Sequence, residues 1–231
     1  ATDADAKPFK VREVATFDEP WAMTFLPGSG VSLTGMLLVS EKKGRLRLVD
    51  SKSGTSVPID GVPQPAYGGQ GGLGDVVADP GFAGNQRIWM SWVEAGEGGK
   101  GAVVGKAKLD LSNAAAPKLG PVEIVWRQTP KVSGNGHFGH RIAFGPDGML
   151  YISSGERQKF DPAQDMKTNL GKIVRLKPDG SVPADNPFAS TGGVTAQIWS
   201  LGHRNPMGLA FDATGRLWNA EMGPAGGDEI N

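Results

Sequence analysis

Arg141-Ile142-Ala143-Phe144-Gly145-Pro146-Asp147-Gly148-Met149-Leu150-Tyr151-Ile152-Ser153-Ser154 reads as a strand, a tight turn and a second strand. The same phrase occurs elsewhere. Trp21-Ala22-Met23-Thr24-Phe25-Leu26-Pro27 leads to Gly35-Met36-Leu37-Leu38-Val39-Ser40 and then to Gly44-Arg45-Leu46-Arg47-Leu48-Val49-Asp50. The quoted stretch itself continues to Gly171-Lys172-Ile173-Val174-Arg175-Leu176. Gly208-Leu209-Ala210-Phe211-Asp212 with Gly215-Arg216-Leu217-Trp218-Asn219-Ala220 is another copy. A looser one runs from Leu73 to Pro80, Gln86 to Val93 and Ala102 to Leu109.

A period of roughly 50 to 65 residues carrying three or four short strands is the signature of a propeller blade. A β-sandwich also has many short strands, but it does not repeat one phrase at this period. The expectation is therefore an all-β chain, a β-propeller with about four blades of a six-bladed ring present. Blade 1 is placed at about 18–66, blade 2 at about 67–131, blade 3 at about 132–197 and blade 4, partial, at about 198–231. Six such blades need something over ~300 residues, so the 231-residue chain is expected to be C-terminally incomplete, stopping after two strands of blade 4. Lys10 to Phe17 reads as a lone strand of the closing kind.

Composition agrees with this. Thirty-five glycines and 17 prolines in 231 residues leave little room for long helices. Lys and Arg number 24 and Asp and Glu 24, so net charge argues for neither nucleic acid nor an anionic membrane as partner. No apolar run approaches the roughly 18 residues of a membrane span. Cysteine is absent, which excludes disulfides, thiolate metal sites and a cysteine nucleophile. Ala1 to Lys7 reads as the start of a mature chain after signal removal, and a cloning choice would look the same.

In a propeller the loops that enter the first strand of each blade converge on one face. Three of them combine glycines with long polar side chains: Gly68-Gly69-Gln70-Gly71-Gly72, Gly134-Asn135-Gly136-His137-Phe138-Gly139-His140 and Gly202-His203-Arg204-Asn205-Pro206. Such loops bring backbone close to a bulky ligand while amide and imidazole groups reach inward. The loop Met222 to Glu229 is expected to open on the same face.

These phrases resemble the soluble PQQ-dependent glucose and aldose dehydrogenase family. The likeness rests on Gly202-His203-Arg204-Asn205-Pro206, Gly223-Pro224 with Gly227-Asp228-Glu229-Ile230-Asn231, Leu170 to Leu176, Asp179 to Pro183, His137 to Arg141 and Gln70 to Gly74. The resemblance implies a general base at His137, which takes the proton of a sugar C1 hydroxyl while hydride passes to PQQ. It implies PQQ contacts from Gln70, Arg204 and Asn205, an arginine suiting a planar tricarboxylate. It implies calcium at the carbonyls of Gly223 and Pro224, with Glu229 a weaker candidate metal ligand.

An aldose substrate, an external electron acceptor, a monomer or homodimer, and a periplasmic or secreted location follow from the same resemblance. The glucose-specific branch has an acidic residue directly before the histidine; Gly136 stands there, which points to broader aldose oxidation. Plainer roles stay open. His137, His140 and His203 could each hold a loop together, with His140 an alternative base, Arg204 could tie its own loop, Gly223-Pro224 could be an ordinary turn, and Glu229 could form an ion pair. A calcium-dependent lactonase-type propeller and a non-catalytic binding scaffold are the competing readings.

Overall fold

The computed structural model describes residues 9–28 and 33–231. Ala1 to Lys7 lies outside the described residues. Four antiparallel sheets follow one another along the chain. The first holds β1 (Pro20–Phe25), β2 (Met36–Glu41), β3 (Arg45–Asp50) and β4 (Ser56–Pro58) in sequence order. The second holds β5 (Leu73–Ala78), β6 (Arg87–Gly96), β7 (Gly99–Asp110) and β8 (Lys118–Leu119), with β9 (Glu123–Arg127) also pairing with β7. The third holds β10 (Gly139–Phe144), β11 (Leu150–Ser154), β12 (Lys172–Leu176) and β13 (Ile198–Leu201). The fourth holds β14 (Pro206–Phe211), β15 (Leu217–Glu221) and β16 (Glu229–Ile230). Apart from β9, strands that neighbour in sequence within a sheet neighbour in space, which is the meander of a propeller blade. The first strands β1, β5, β10 and β14 pack against one another in that order, so the four blades stand side by side around one axis.

The core lies between blades and follows from the two-residue period of a strand. In β6, Ile88, Met90 and Trp92 face the first sheet and pack with Leu38, Leu46 and Leu48. Trp89 points the other way and packs with Ile142, Leu150, Ile152 and Val174 of the third sheet. Both faces of β6 are thus covered, and Ile88, Trp89 and Met90 have no solvent exposure. Each such apolar side chain contributes roughly 2 kcal/mol on burial.

A serine on the second strand stitches each seam. The Ser40 hydroxyl accepts the Ala22 amide at 3.1 Å and donates to the Gly74 carbonyl of the next blade at 2.5 Å. Ser153 accepts the Arg141 amide and donates to the Pro206 carbonyl of the following blade, both at 2.9 Å. Ser91 accepts the Asp75 amide at 2.8 Å, but the group it meets in the next blade is Nδ1 of His140, at 2.7 Å. The first strand of every blade carries an irregularity in register near its start, which leaves an amide for the serine to take. In the fourth blade Ala220 pairs with Gly208 at the corresponding place.

Three expectations are corrected. Lys10 to Phe17 forms no ladder among the described residues; instead Arg12 donates to the Ser51 carbonyl at 2.6 Å, and Phe17 packs on Leu37, Val39 and Val49. The third sheet ends at Leu201 rather than near 197, because Ile198 to Leu201 pairs with β12. The fourth sheet has a third strand, short but paired, with Glu229 opposite Glu221 and Ile230 opposite Ala220. Among the described residues, no helix is long and apolar enough to cross a membrane.

Candidate functional site

The three glycine-rich entering loops lie against one another. The His137 amide donates to Oε1 of Gln70 at 2.7 Å, and the Gln70 amide donates to the Asn135 carbonyl at 2.8 Å. The Gly139 amide donates to Oδ1 of Asn205 at 3.2 Å, and the Glu156 amide donates to the Arg204 carbonyl at 2.8 Å. Gln70, His137, Arg204 and Asn205 are therefore brought to one place from three blades. Glycine is required at Gly155, where a Cβ would stand 2.1 Å from the His137 carbonyl oxygen. The loop is also fastened from beneath. The fully buried Arg157 guanidinium donates to the carbonyls of Gly136, Gly134 and Lys100 at 2.5 to 2.9 Å and lies 3.7 Å over the Phe138 ring.

His137 is buried and sits at φ 50°, in the left-handed region that costs a side-chain-bearing residue roughly 1 kcal/mol or more. Its Nδ1 meets the Glu156 carboxylate. That carboxylate also accepts the amides of Lys159 and of Phe160, the latter at 2.6 Å. Burial pushes the Glu156 carboxyl up, but the bonds from His137, Phe160 and Lys159 outweigh it and hold the group below its ordinary value. A carboxylate can only accept, so Nδ1 carries a proton, and in the neutral imidazole the lone pair is then on Nε2. Nε2 has no hydrogen-bond partner among the described residues.

His203 is arranged differently. Its Nδ1 lies 2.9 Å from Glu221 and its Nε2 lies 2.8 Å from the Ser200 hydroxyl, so both ring nitrogens are engaged. Burial raises the Glu221 carboxyl, while His203 and the Arg204 amide lower it further than burial raises it. This pair holds the β14 loop in place. Of the two carboxylate-paired histidines, only His137 retains an unengaged nitrogen.

A cavity of about 240 Å³ opens beside these loops, lined by Trp21, Lys42, Gln70, Phe138, His140 and Asn205, together with Met207 and Met222. Nδ2 of Asn205 is buried without a hydrogen-bond partner. An orphaned amide on a cavity wall calls for an acceptor oxygen from a ligand. Lys42 adds positive charge and Trp21 a flat aromatic wall. A planar carboxylated quinone fits this donor set.

Arg204 is not among the lining residues; its Nη1 donates to the Met222 carbonyl at 2.7 Å. Gly223 and Pro224 follow Met222 directly, in an exposed turn where the Gly227 amide donates to the Pro224 carbonyl at 3.0 Å. Glu229 is exposed and accepts from Asn231 Nδ2 at 3.2 Å. Among the described residues, no group of three or more His, Cys, Asp or Glu is placed to hold a metal ion. A hard cation here would rest on backbone carbonyls.

Comparison with known proteins matches the chain to a family. The model of the glucose/sorbosone dehydrogenase family matches residues 17–231. The chain belongs to the glucose/sorbosone dehydrogenase family. The aldose sugar dehydrogenase YliI of Escherichia coli (strain K12) is 45% identical over 218 residues, covering 93% of this chain and 56% of that protein. The crystal structure of the soluble aldose sugar dehydrogenase from Escherichia coli, in the apo-form, superposes with a TM-score of 0.84 at 44% identity, over 93% of this chain and 60% of that one. The PQQ-bound form of the aldose sugar dehydrogenase from Streptomyces coelicolor gives 0.83 at 33% identity, over 96% and 62%. The chain spans between half and two-thirds of the length of these relatives.

Three candidate site residues of this chain escape a reading of the sequence: Glu156, Lys42 and Trp21. Glu156 carried one legible signal, an acid two residues past the buried strand β11 on the side where the loops gather. Lys42 and Trp21 come from the first blade, whose entering loop lacks the glycine-rich pattern of the others.

Proposed function

We propose that this chain carries the base-bearing and quinone-binding part of an enzyme that oxidises aldoses at the anomeric C1 hydroxyl to the lactone, using PQQ and calcium. The observation that carries the reading is His137, locked by Glu156 with Nε2 unengaged and held by Gln70, which lines with Phe138 and Asn205 a cavity that His137 itself does not line.

Nε2 of His137 takes the C1 hydroxyl proton, and Glu156 stabilises the imidazolium that results. Gln70 fixes the peptide of His137, and Arg157 holds the loop beneath it. Asn205, Gln70 and Lys42 would hold PQQ, which when bound supplies the two-electron acceptor. Carbonyls of Gly223 and Pro224 would hold calcium, a hard cation that oxygen ligands suit. Reoxidation requires an external electron acceptor. Periplasmic or secreted location is part of the same reading and rests on family resemblance alone.

Gly136 bears on the sugar. A Cβ there would meet the carboxamide of the exposed Gln158 at 2.6 Å, the far end of a flexible side chain, so it is the glycine itself, and not a closed space, that leaves the position before the base without an acid. This favours a site without an acidic selector, and hence a range of aldoses. A lactonase-type calcium cage built from carboxylate side chains finds no counterpart among the described residues.

The test is to mix the protein with PQQ and calcium, add aldoses and a redox dye, and follow dye reduction. Exhaustive chelation should abolish the activity, and calcium with PQQ should restore it. Lactone hydrolysis without dye reduction would transfer the chain to the hydrolase reading.

A further inference from the structure

His140 is unused by the proposed chemistry, yet the fold accommodates it at some cost. Its φ is 58°, a left-handed conformation for a residue with a side chain. Its ring lies where the Cβ of residue 74 would be; built on Gly74, that atom would stand 1.9 Å from Cε1 of the imidazole. Trp21 stacks on the ring at 5.0 Å with the planes 17° apart, and Phe138 meets it edge-on at 6.4 Å. The ring is buried and lines the same cavity as Gln70 and Asn205.

The partner on Nδ1 decides the tautomer. Ser91 already accepts the Asp75 amide, so its own hydrogen needs an acceptor, and Nδ1 of His140 at 2.7 Å is the one recorded. Ser40 and Ser153, at the corresponding places in the first and third blades, likewise accept from their own blade and donate to the next. Nδ1 is therefore the acceptor and the proton sits on Nε2. Nε2 has no partner among the described residues.

We infer that His140 is a ligand-binding residue, a neutral Nε2–H donor that reads an acceptor oxygen, carboxylate or quinone carbonyl, of the molecule bound in this cavity. The inference deepens the quinone reading and rests on it for the identity of the ligand. His137 and His140, three positions apart, are set in opposite tautomers by opposite partners: a carboxylate leaves the first an acceptor, and a hydroxyl leaves the second a donor. Burial and the nearby positive charges of Arg141 and Arg157 push the His140 imidazole down to about 3, which keeps it neutral in the working range. The neighbouring carboxylate, Asp75, is engaged by Arg141 at 3.1 Å and by the Ile142 amide at 2.8 Å.

Two measurements test this. Nitrogen-15 NMR of the histidines, on the protein without ligand, should show His140 protonated at Nε2 and not titrating between about pH 5 and 8. Ser91→Ala should turn that signal into a tautomer mixture. Protonation at Nδ1 in the unsubstituted protein, or an imidazolium forming by pH 6, would overturn the inference.

The second measurement is PQQ affinity in the presence of calcium, read by quenching of tryptophan fluorescence. His140→Leu should weaken binding about tenfold, the usual scale for losing a hydrogen bond to a charged or strongly polar acceptor. His140→Gln, which keeps a neutral donor, should stay within about threefold. Equal affinity for His140→Leu and the unsubstituted protein would remove His140 from the site. No PQQ binding by the unsubstituted protein would sink the quinone reading and the ligand assignment together, whereas the tautomer stands or falls on the NMR alone.

Discussion

Oε1 of Gln70 accepts the backbone amide of His137 at 2.7 Å, so a side chain of the second blade sets the peptide on which the base of the third blade is mounted. The bond crosses the seam between two sheets. It makes the position of the imidazole depend on how the blades are assembled, not on the 134–140 loop alone. Gln70 is thereby both a wall of the cavity and a support of the base, and the two roles separate experimentally.

Gln70→Ala should lower kcat about tenfold, since His137 loses its anchor, with little change in thermal unfolding because Gln70 is exposed. Gln70→Glu retains the acceptor for His137 but adds negative charge where carboxylates are proposed to bind. It should keep most of kcat at saturating PQQ while weakening PQQ affinity. Unchanged affinity in Gln70→Glu would take Gln70 out of the cofactor wall.

His137→Gln should lower kcat at least about a hundredfold with PQQ still bound, within the span usual for loss of a general base. Glu156→Gln should lower kcat by about tenfold or more, because an amide N–H facing Nδ1 would drive the proton to Nε2 and remove the lone pair that accepts from the sugar. Glu156→Asp, which keeps the charge on a shorter arm, should recover part of the loss. Near-normal turnover in His137→Gln would remove it from the mechanism.

Lys172 tests the fold rather than the chemistry. It has no solvent exposure, and its Nζ donates to the carbonyls of Pro162, Ala163 and Leu170 at 2.7 to 3.0 Å. Lys172→Met fills similar space but leaves three buried carbonyls without this donor, so urea unfolding should show a loss of at least about 3 kcal/mol. A loss under about 1 kcal/mol would mean that other donors replace the ammonium.

Stability should fall on acidification, and His140 should account for part of the slope. Its imidazole is pushed down to about 3 in the folded protein, against about 6.5 when unfolded. Above pH 6.5 both states are neutral and the group's contribution is complete. Below it the unfolded chain takes up a proton that the folded one refuses, so stability is lost as pH drops from about 6.5 toward 3, at up to about 1.4 kcal/mol per pH unit. The lowered carboxyls of Glu156 and Glu221 act with the same sign further down the scale, where native carboxylates protonate. Denaturant midpoints between pH 4 and 7 should therefore vary less in His140→Gln than in the unsubstituted protein. Parallel curves would show that His140 titrates normally.

The propeller was legible from the chain itself. Strand periodicity and the turns at Gly and Pro are local properties, and their fourfold recurrence leaves few architectures open. The nearness of Gln70, His137 and Asn205 was legible too, because repeat topology sends equivalent loops to one face. The partners of those residues were decided only by the tertiary structure. Glu156 reaches His137 from 19 residues away, Ser91 reaches His140 from 49, and the Arg204 guanidinium turns to the Met222 carbonyl rather than into the cavity. Each of these contacts depends on side-chain direction, and the one between Ser91 and His140 crosses a seam between blades. Composition and spacing fix which residues stand near an axis, but a hydrogen bond needs its atoms placed to a few tenths of an ångström, and packing of one sheet against the next provides that placement.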